Sequence, residues 1–538
     1  MRTKILRPIV PVLLLAVAVT LAACGGSDSA PPDLGPDPAT MVPADAPFYM
    51  EAVLRPEGDM GDDLNAALSK LLVTDDVPGK VHDAIDEAFA AEDEDISYDA
   101  DIAPWLGIRG GIYFNGYDAK ANEAEGAAIV AVTDAGAAQS FLDKAAEQGS
   151  AKTAARDYKG VQLQVAAADD TAYGIDGDFL LAGSTQGVED AIDAASGENL
   201  AGVDDSTTGF DQVPDDSIFS LYADPQRVLD LIRGAGIPAS ELKQIEEQVA
   251  KMGDGPLDAW GTATDTSLSV GASAPAPADA SDPTDLLTTL PADSWFAFAA
   301  TGVGDQLATS IAQFKAGFEA SLEQTAPQVA DQVDPIQAFQ DATGLDLEQD
   351  VAWIGDIGGF VEGTSVFGLG GGIVITTDDT QAAEDAVKKL QATFGRTRGV
   401  KVSPSAEGFD VQARGAPLGA EVTVEDDKVV IAAGADSTED VLSPSETLGD
   451  SDTFQAAEDD LDNDLTPSVF VNFAPILDLI DSTGESDPDI EAARPYLNAL
   501  DFLIGGSKVD GDRSVSGLTL GVQDQPEGDS TTAAVIAP

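Results

Sequence analysis

Asp101-Ile102-Ala103-Pro104-Trp105-Leu106-Gly107, then Gly110-Gly111-Ile112-Tyr113-Phe114, then Ala127-Ala128-Ile129-Val130-Ala131-Val132-Thr133-Asp134: this stretch decides the fold. Its order returns as Asp350-Val351-Ala352-Trp353-Ile354-Gly355, Gly358-Gly359-Phe360-Val361 and Gly372-Ile373-Val374-Ile375-Thr376-Thr377-Asp378. A tryptophan–glycine corner leads into two short apolar runs of strand length, and a Thr-Asp pair suited to capping a helix follows. The repetition reads as a tandem duplication. Hairpin-linked strands outnumber strand–helix–strand crossovers. The expected class is therefore α+β, each copy a mainly antiparallel sheet with helices packed on one face.

Working outward, both copies open on Pro-Ala-Asp turns, Val42-Pro43-Ala44-Asp45 and Leu290-Pro291-Ala292-Asp293, each before an aromatic strand. Helical stripes come next: Leu64, Leu68, Leu71 and Leu72, then Val81, Ile85, Ala88 and Phe89. In the second copy they are Val303, Leu307, Ile311, Phe314, Phe318 and Leu322. Such spacing makes one apolar face, read as core. Hairpins are expected around Asp176-Gly177-Asp178 and Asp426-Asp427. The expected boundaries are 41–274 for the first repeat, 275–285 for a Pro/Ala linker, 286–523 for the second repeat and 524–538 for a polar tail.

The N-terminus carries an address. Arg2, Lys4 and Arg7 precede the apolar run Ile9–Val19, which Pro11 interrupts and which is too short to span a bilayer well. It ends in Leu21-Ala22-Ala23-Cys24-Gly25, which resembles the lipobox of bacterial lipoproteins. The resemblance implies that residues 1–23 are a signal peptide, that Cys24 becomes the first mature residue, and that its sulfur receives a diacylglyceryl group. Cys24 is the lipidation site expected here, and the membrane is the partner it engages. Two acyl chains hold far more firmly than one, whose affinity is only about 10⁴ M⁻¹. Residues 24–40, rich in Gly, Ser, Pro and Asp, read as a flexible tether. About 15 such residues average roughly 20 Å and reach roughly 50 Å at full extension. With Cys24 the only cysteine, the cores alone must hold the fold.

The Pro-Ala-Asp opening, the Pro104-Trp105-Leu106-Gly107 core and the Thr-Asp helix start together resemble a bacterial family, domain of unknown function 3352. The likeness runs from about Met41 over most of the chain. The second copy departs from it, with Ala352 before its tryptophan and Ile354 after it. The resemblance implies an extracytoplasmic location and no assigned activity, and it brings no catalytic residues.

With 27 basic against 96 acidic residues the net charge is −69, which sets nucleic-acid binding aside. His82, the only histidine, lies in a helical run, so a Ser-His-Asp triad or a Cys/His zinc site lacks its parts. Gly368-Leu369-Gly370-Gly371-Gly372 precedes a strand and reads as an entry turn, not a phosphate loop. Asp460, Asp462 and Asp464 start like a calcium loop, but Leu465 stands where glycine is required and Val471 where glutamate is. Glu92-Asp93-Glu94-Asp95 reads as a screened acidic run. Trp105 and Trp353 read as core plugs. No catalytic, cofactor-binding or metal-binding residue is therefore expected.

The expectation is a non-catalytic, lipid-anchored extracytoplasmic protein that binds or scaffolds at the cell envelope, its partner an envelope protein or an apolar ligand. The alternative is a carrier of an apolar or lipid ligand in a sheet–helix cavity. A carboxylate-based hydrolase ranks third; it would need two carboxylates in a cleft with aromatic walls.

Overall fold

The computed structural model describes residues 34–525 except 92–93, 119–122, 149–151, 167–169, 205–211, 235–238, 251, 254, 278–279, 305–350, 366–367, 406, 416–418, 435–437, 462–463 and 484–487. Cys24, the signal segment, the helical stripe from Leu307 to Leu322, Glu92-Asp93, Asp462 and the end of the tail lie outside the described residues. Two compact units divide the chain. One is Met1–Ala280 with Asp510–Ser516 and Val522–Pro538; the other is Ser281–Val509 with Gly517–Gly521. Both are α+β, and every pairing given below is antiparallel.

In the first unit, β1 (Phe48–Val53) lies between β2 (Leu106–Asp118) and β8 (Phe219–Ala223). Beyond β2 come β3 (Glu123–Val132), β7 (Phe179–Ser184), β6 (Thr171–Asp176), β5 (Val161–Ala166) and β4 (Ala154–Tyr158). Beyond β8 come β9 (Leu257–Ala263) and β10 (Ser267–Pro275). The Trp105 corner is tied to β3 by the Thr133 N–H, which donates to the Trp105 carbonyl at 2.8 Å.

The sheet buries both faces. Along β3, Ala128, Val130 and Val132 meet Leu64 and Leu68 of α1 (Gly58–Leu71), Val81, Ile85 and Phe89 of α2 (Val77–Ala91), and Phe141 and Leu142 of α3 (Ala135–Gln148). The alternate residues Ala127, Ile129 and Ala131 meet Val188, Ala191 and Ile192 of α4 (Thr185–Ser196) together with Met41 and Val42. This corrects the expectation of helices on one face. Strand period two sends the unbroken apolar run Ala127–Val132 to both sides, and each side must be covered.

A second correction concerns the tether. Residues 34–40 are laid onto this unit. Pro38, Ala39 and Met41 are buried in a single turn capped by the Asp37 carboxylate, which accepts from the Ala39 N–H at 2.9 Å. The Arg109 guanidinium donates to the carbonyls of Gly35 (3.1 Å) and Pro36 (3.0 Å), and to Glu51 Oε1 at 3.0 Å. Burial pushes the Glu51 carboxyl up, while Arg109 and the Tyr49 hydroxyl pull it down.

The second unit repeats the pairing order. β11 (Ser294–Ala300) lies between β12 (Ile357–Glu362) and β18 (Thr466–Asn472), and β19 (Leu500–Asp510) follows β18. On the other side come β13 (Gly370–Thr376), β17 (Lys428–Gly434), β16 (Ala420–Glu425), β15 (Gly408–Ala413) and β14 (Val400–Pro404). The last strand, β20 (Arg513–Val522), is shared: its first residues count with the first unit, and Gly517–Gly521 with the second.

Helix α5 (Thr380–Arg396) packs Ala383, Ala386 and Val387 on Ile375, Val422, Phe409 and Trp353. Asp134 caps α3, accepting from Gly136 and Ala137 N–H groups at 2.8 and 3.0 Å. In the second unit the capping residue is Asp379, one past the expected Asp378. Asp379 accepts from Ala382 N–H at 3.0 Å, and Thr377 Oγ1 accepts from Asp379 N–H at 3.0 Å.

Candidate functional site

An apolar groove of about 400 Å³ opens on the second unit's sheet. Register builds it residue by residue. Phe296 stands opposite Val361 and Phe298 opposite Gly359; Val361 faces Gly371 and Gly359 faces Ile373. Ile373 is in turn opposite Ile431, and Gly371 opposite Ala433. These residues share one face of four adjacent strands. The glycines keep its floor low. A Cβ at Gly359 would lie 2.5 Å from Phe298 Cε1, because the ring lies over bare backbone there.

Gly370–Gly372, read from sequence as an entry turn, are thus the start of β13 and part of the groove. The signal that could have revealed this is that each of two neighbouring apolar strands carries a glycine pair, Gly358-Gly359 and Gly371-Gly372, the first facing Val374 and Ile373 and the second Val361 and Phe360.

The first unit shows what this face meets there. The Val132 N–H donates to the Asp178 carbonyl, and the Thr377 N–H to the Asp427 carbonyl, each at 2.8 Å. Counted from these equivalent bonds, Ile373 stands where the first unit has Ala128. Ala128 is 8% exposed among the helices between β1 and β2, whereas Ile373 is 38% exposed. The chain between β11 and β12 includes residues 305–350, which lie outside the described residues. Among the described residues, those lining the groove are all apolar, so it offers shape and dispersion contacts but no acid–base chemistry.

The other sequence candidates fall elsewhere. Trp105 is 3% exposed and packs on Phe141 at 5.1 Å between ring centres; Trp353 is 8% exposed in a separate cluster. His82 is half-buried, stacked on Tyr98 at 3.9 Å with Nδ1 3.3 Å from Asp99 Oδ1. Asp464 is 3.5 Å from Lys508 Nζ.

Carboxylates gather around a cavity of about 410 Å³ in the first unit, bordered by Asp45, Asp190, Asp193 and Glu198. Two of them are engaged structurally: Asp190 accepts from Asn115 Nδ2 at 2.6 Å, and Asp193 from Tyr158 Oη at 3.2 Å. No aromatic residue borders that cavity among the described residues. Nor do the described residues include a group of three or more His, Cys, Asp or Glu placed to hold a metal ion. No described helix is long and apolar enough to cross a membrane.

The chain matches the family described as "Protein of unknown function (DUF3352)" over residues 9–500 and belongs to it. No curated protein matches the chain. Among solved structures it is similar to TP0453 in crystal form I, at 10% identity and a TM-score of 0.24, covering 46% of this chain and 81% of that one. Crystal form III gives 9% identity and 0.25, with 46% and 82% covered. A likeness at that level carries no argument about fold or function here.

Proposed function

We propose that this chain is a lipoprotein whose Cys24, acylated after cleavage of residues 1–23, holds a non-catalytic binding or scaffolding body at the extracytoplasmic face of a membrane. The observation that carries the reading is Leu21-Ala22-Ala23-Cys24-Gly25 behind a basic segment and an apolar run. With residues 34–40 packed on the first unit, nine residues, 25–33, separate it from Cys24. Those nine residues would span at most roughly 30 Å, keeping the body close to its anchor. The shared strand order of the two units supports their origin as a tandem duplication.

The test is incorporation of a labelled fatty acid by cells making the full chain. The wild type is expected to carry label and to stay with salt-washed membranes, while Cys24→Ala carries none. Label retained by Cys24→Ala, or absent from the wild type, would refute the anchor.

The groove favours a second reading, in which the body carries an apolar ligand. Small-molecule sites commonly enclose ~300–1,000 Å³, and this one falls inside that range. Native mass spectrometry of the full chain is then expected to show an added mass of lipid size. Ala433→Trp, at an exposed position on the groove wall, is expected to abolish that mass and leave the folded charge-state envelope unchanged. A bare mass for the wild type would send the search to surface partners.

A further inference from the structure

In a chain with 96 acidic residues, a lone cation is expected to find a carboxylate. Most described ones do: Lys144 on Asp101, Arg233 on Glu246, Arg494 on Asp481, Arg513 on Asp258. One corner of the second unit breaks this pattern. Residues 388–414 hold six Lys or Arg and only two acids, Glu407 and Asp410. Within it the side chains of Arg396, Arg398, Lys401 and Arg414 are exposed, and none has an ion-pair or hydrogen-bond partner among the described residues.

The fold puts two of these four, Lys401 and Arg414, on one ribbon, and the other two on the helix end that leads into it. Arg396 ends α5, Arg398 follows it, and β14 pairs with β15 so that Lys401 stands opposite Gln412. The Arg414 N–H donates to the Gly399 carbonyl at 2.7 Å, placing Arg414 one step beyond Gln412 along the ribbon. Strand alternation puts Arg414 on the same face as Lys401, with Asp410 the one acid of the ribbon on that face, while Val402 and Val411 pack toward the Phe409 core. Lys401, Gln412 and Arg414 border a hollow of about 560 Å³ with the backbone of Gly399 and Gly415. A helix C-terminus accounts for one cation, Arg396, by its dipole. It does not account for the other three.

We propose that this corner is the surface through which the body contacts the anionic phospholipid headgroups of its own membrane, an inference that rests on the lipoprotein reading. Charge complementarity selects the occupant. The acidic remainder of the surface is repelled by such headgroups, and screening over about 8 Å lets a basic corner act on what lies directly against it. Clustered cations draw a protein to an anionic lipid surface, with Arg forks suited to phosphate oxygens. The contact orients the second unit against the membrane.

The experiment uses the full mature, acylated chain carrying Gln412→Cys, its one free thiol labelled with a fluorophore. The chain is floated on vesicles of phosphatidylcholine with or without about a third phosphatidylglycerol. A headgroup-located quencher is expected to reduce emission at least about twofold more on the anionic vesicles, in keeping with the strength of such patches. Changing Arg396, Arg398, Lys401 and Arg414 together to Gln is expected to remove that difference. Removing the same charge elsewhere, by Lys80, Lys152, Arg227 and Lys243 to Gln, is expected to leave it intact.

Equal quenching on both vesicles, persistence in the first variant or equal loss in the second would overturn the proposal. So would loss of contact on adding inorganic phosphate at constant ionic strength, which would mark a free-anion site instead. A wild-type chain that fails to float with either vesicle would defeat the anchor reading, a result distinct from floating without contact.

Discussion

Arg513→Ala is expected to destabilise the first unit by about 3 kcal/mol, the scale found when one member of a buried ion pair is removed. Asp258 on β9 and Ser273 on β10 are cross-strand partners, and both point at this guanidinium. Arg513 Nη2 donates to Asp258 Oδ2 at 2.6 Å, Nε to Ser273 Oγ at 2.7 Å, and Nη1 to the Pro256 carbonyl at 3.3 Å. The Asp258 side chain is fully buried and Arg513 is 14% exposed, so solvent cannot replace the lost charge. Lysine offers one ammonium in place of a planar fork, and Arg513→Lys is expected to recover only part of the loss.

Two units make a single unfolding curve ambiguous. Hydrogen exchange along β9 and β10 is the better readout, since it reports the opening of these strands alone. A loss under about 1 kcal/mol would place the pair among solvated surface bridges. Changing Asp258 and Arg513 together to Leu is expected to be far milder than Arg513→Ala, because no buried charge then remains.

No reading of sequence order assigns Arg513 to the first unit. It follows Asp258 by some 255 positions in the chain, and nothing local marks it as a partner. Elements defined by local periodicity were legible: the strands around Ile129 and Ile373, the Leu64–Leu68 stripe, the hairpin turns at Asp178 and Asp427. What local pattern could not give was coverage. Ala127–Val132 is apolar at every position, and whether a helix lies on one side or both depends on where α4 returns. The tether was misjudged for a similar reason. Its Pro and Gly content suggested a free chain, but Asp37 caps a turn whose Pro38, Ala39 and Met41 are buried among side chains far along the sequence. Composition likewise hid the basic corner. A net charge of −69 says nothing about four exposed cations falling on one helix end and the ribbon that follows it.

Trp105→Ala is the other large effect, expected to cost about 4 kcal/mol through lost apolar burial and the cavity left behind. Trp105 is 3% exposed, and its ring lies against Phe141, joining the corner to α3. Its Nε1–H donates to the Asp101 carbonyl at 2.7 Å, which closes the turn preceding β2. Asp101 in turn accepts from Lys144 Nζ of α3 at 2.7 Å. The tryptophan therefore sits where helix, turn and strand are joined, and the collapse that would fill its space is opposed from three sides. Trp105→Phe keeps most of the ring contact and loses the indole hydrogen bond, worth about 1 kcal/mol on its own. The ordering Ala worse than Phe separates packing from hydrogen bonding; equal losses would mean that the bond to Asp101 dominates. Trp353→Ala offers the internal comparison. Its tryptophan is more exposed, at 8%, so less apolar burial is lost and a smaller loss is expected there. If the two substitutions cost the same, what matters at both corners is the turn itself and not how deeply the ring is buried.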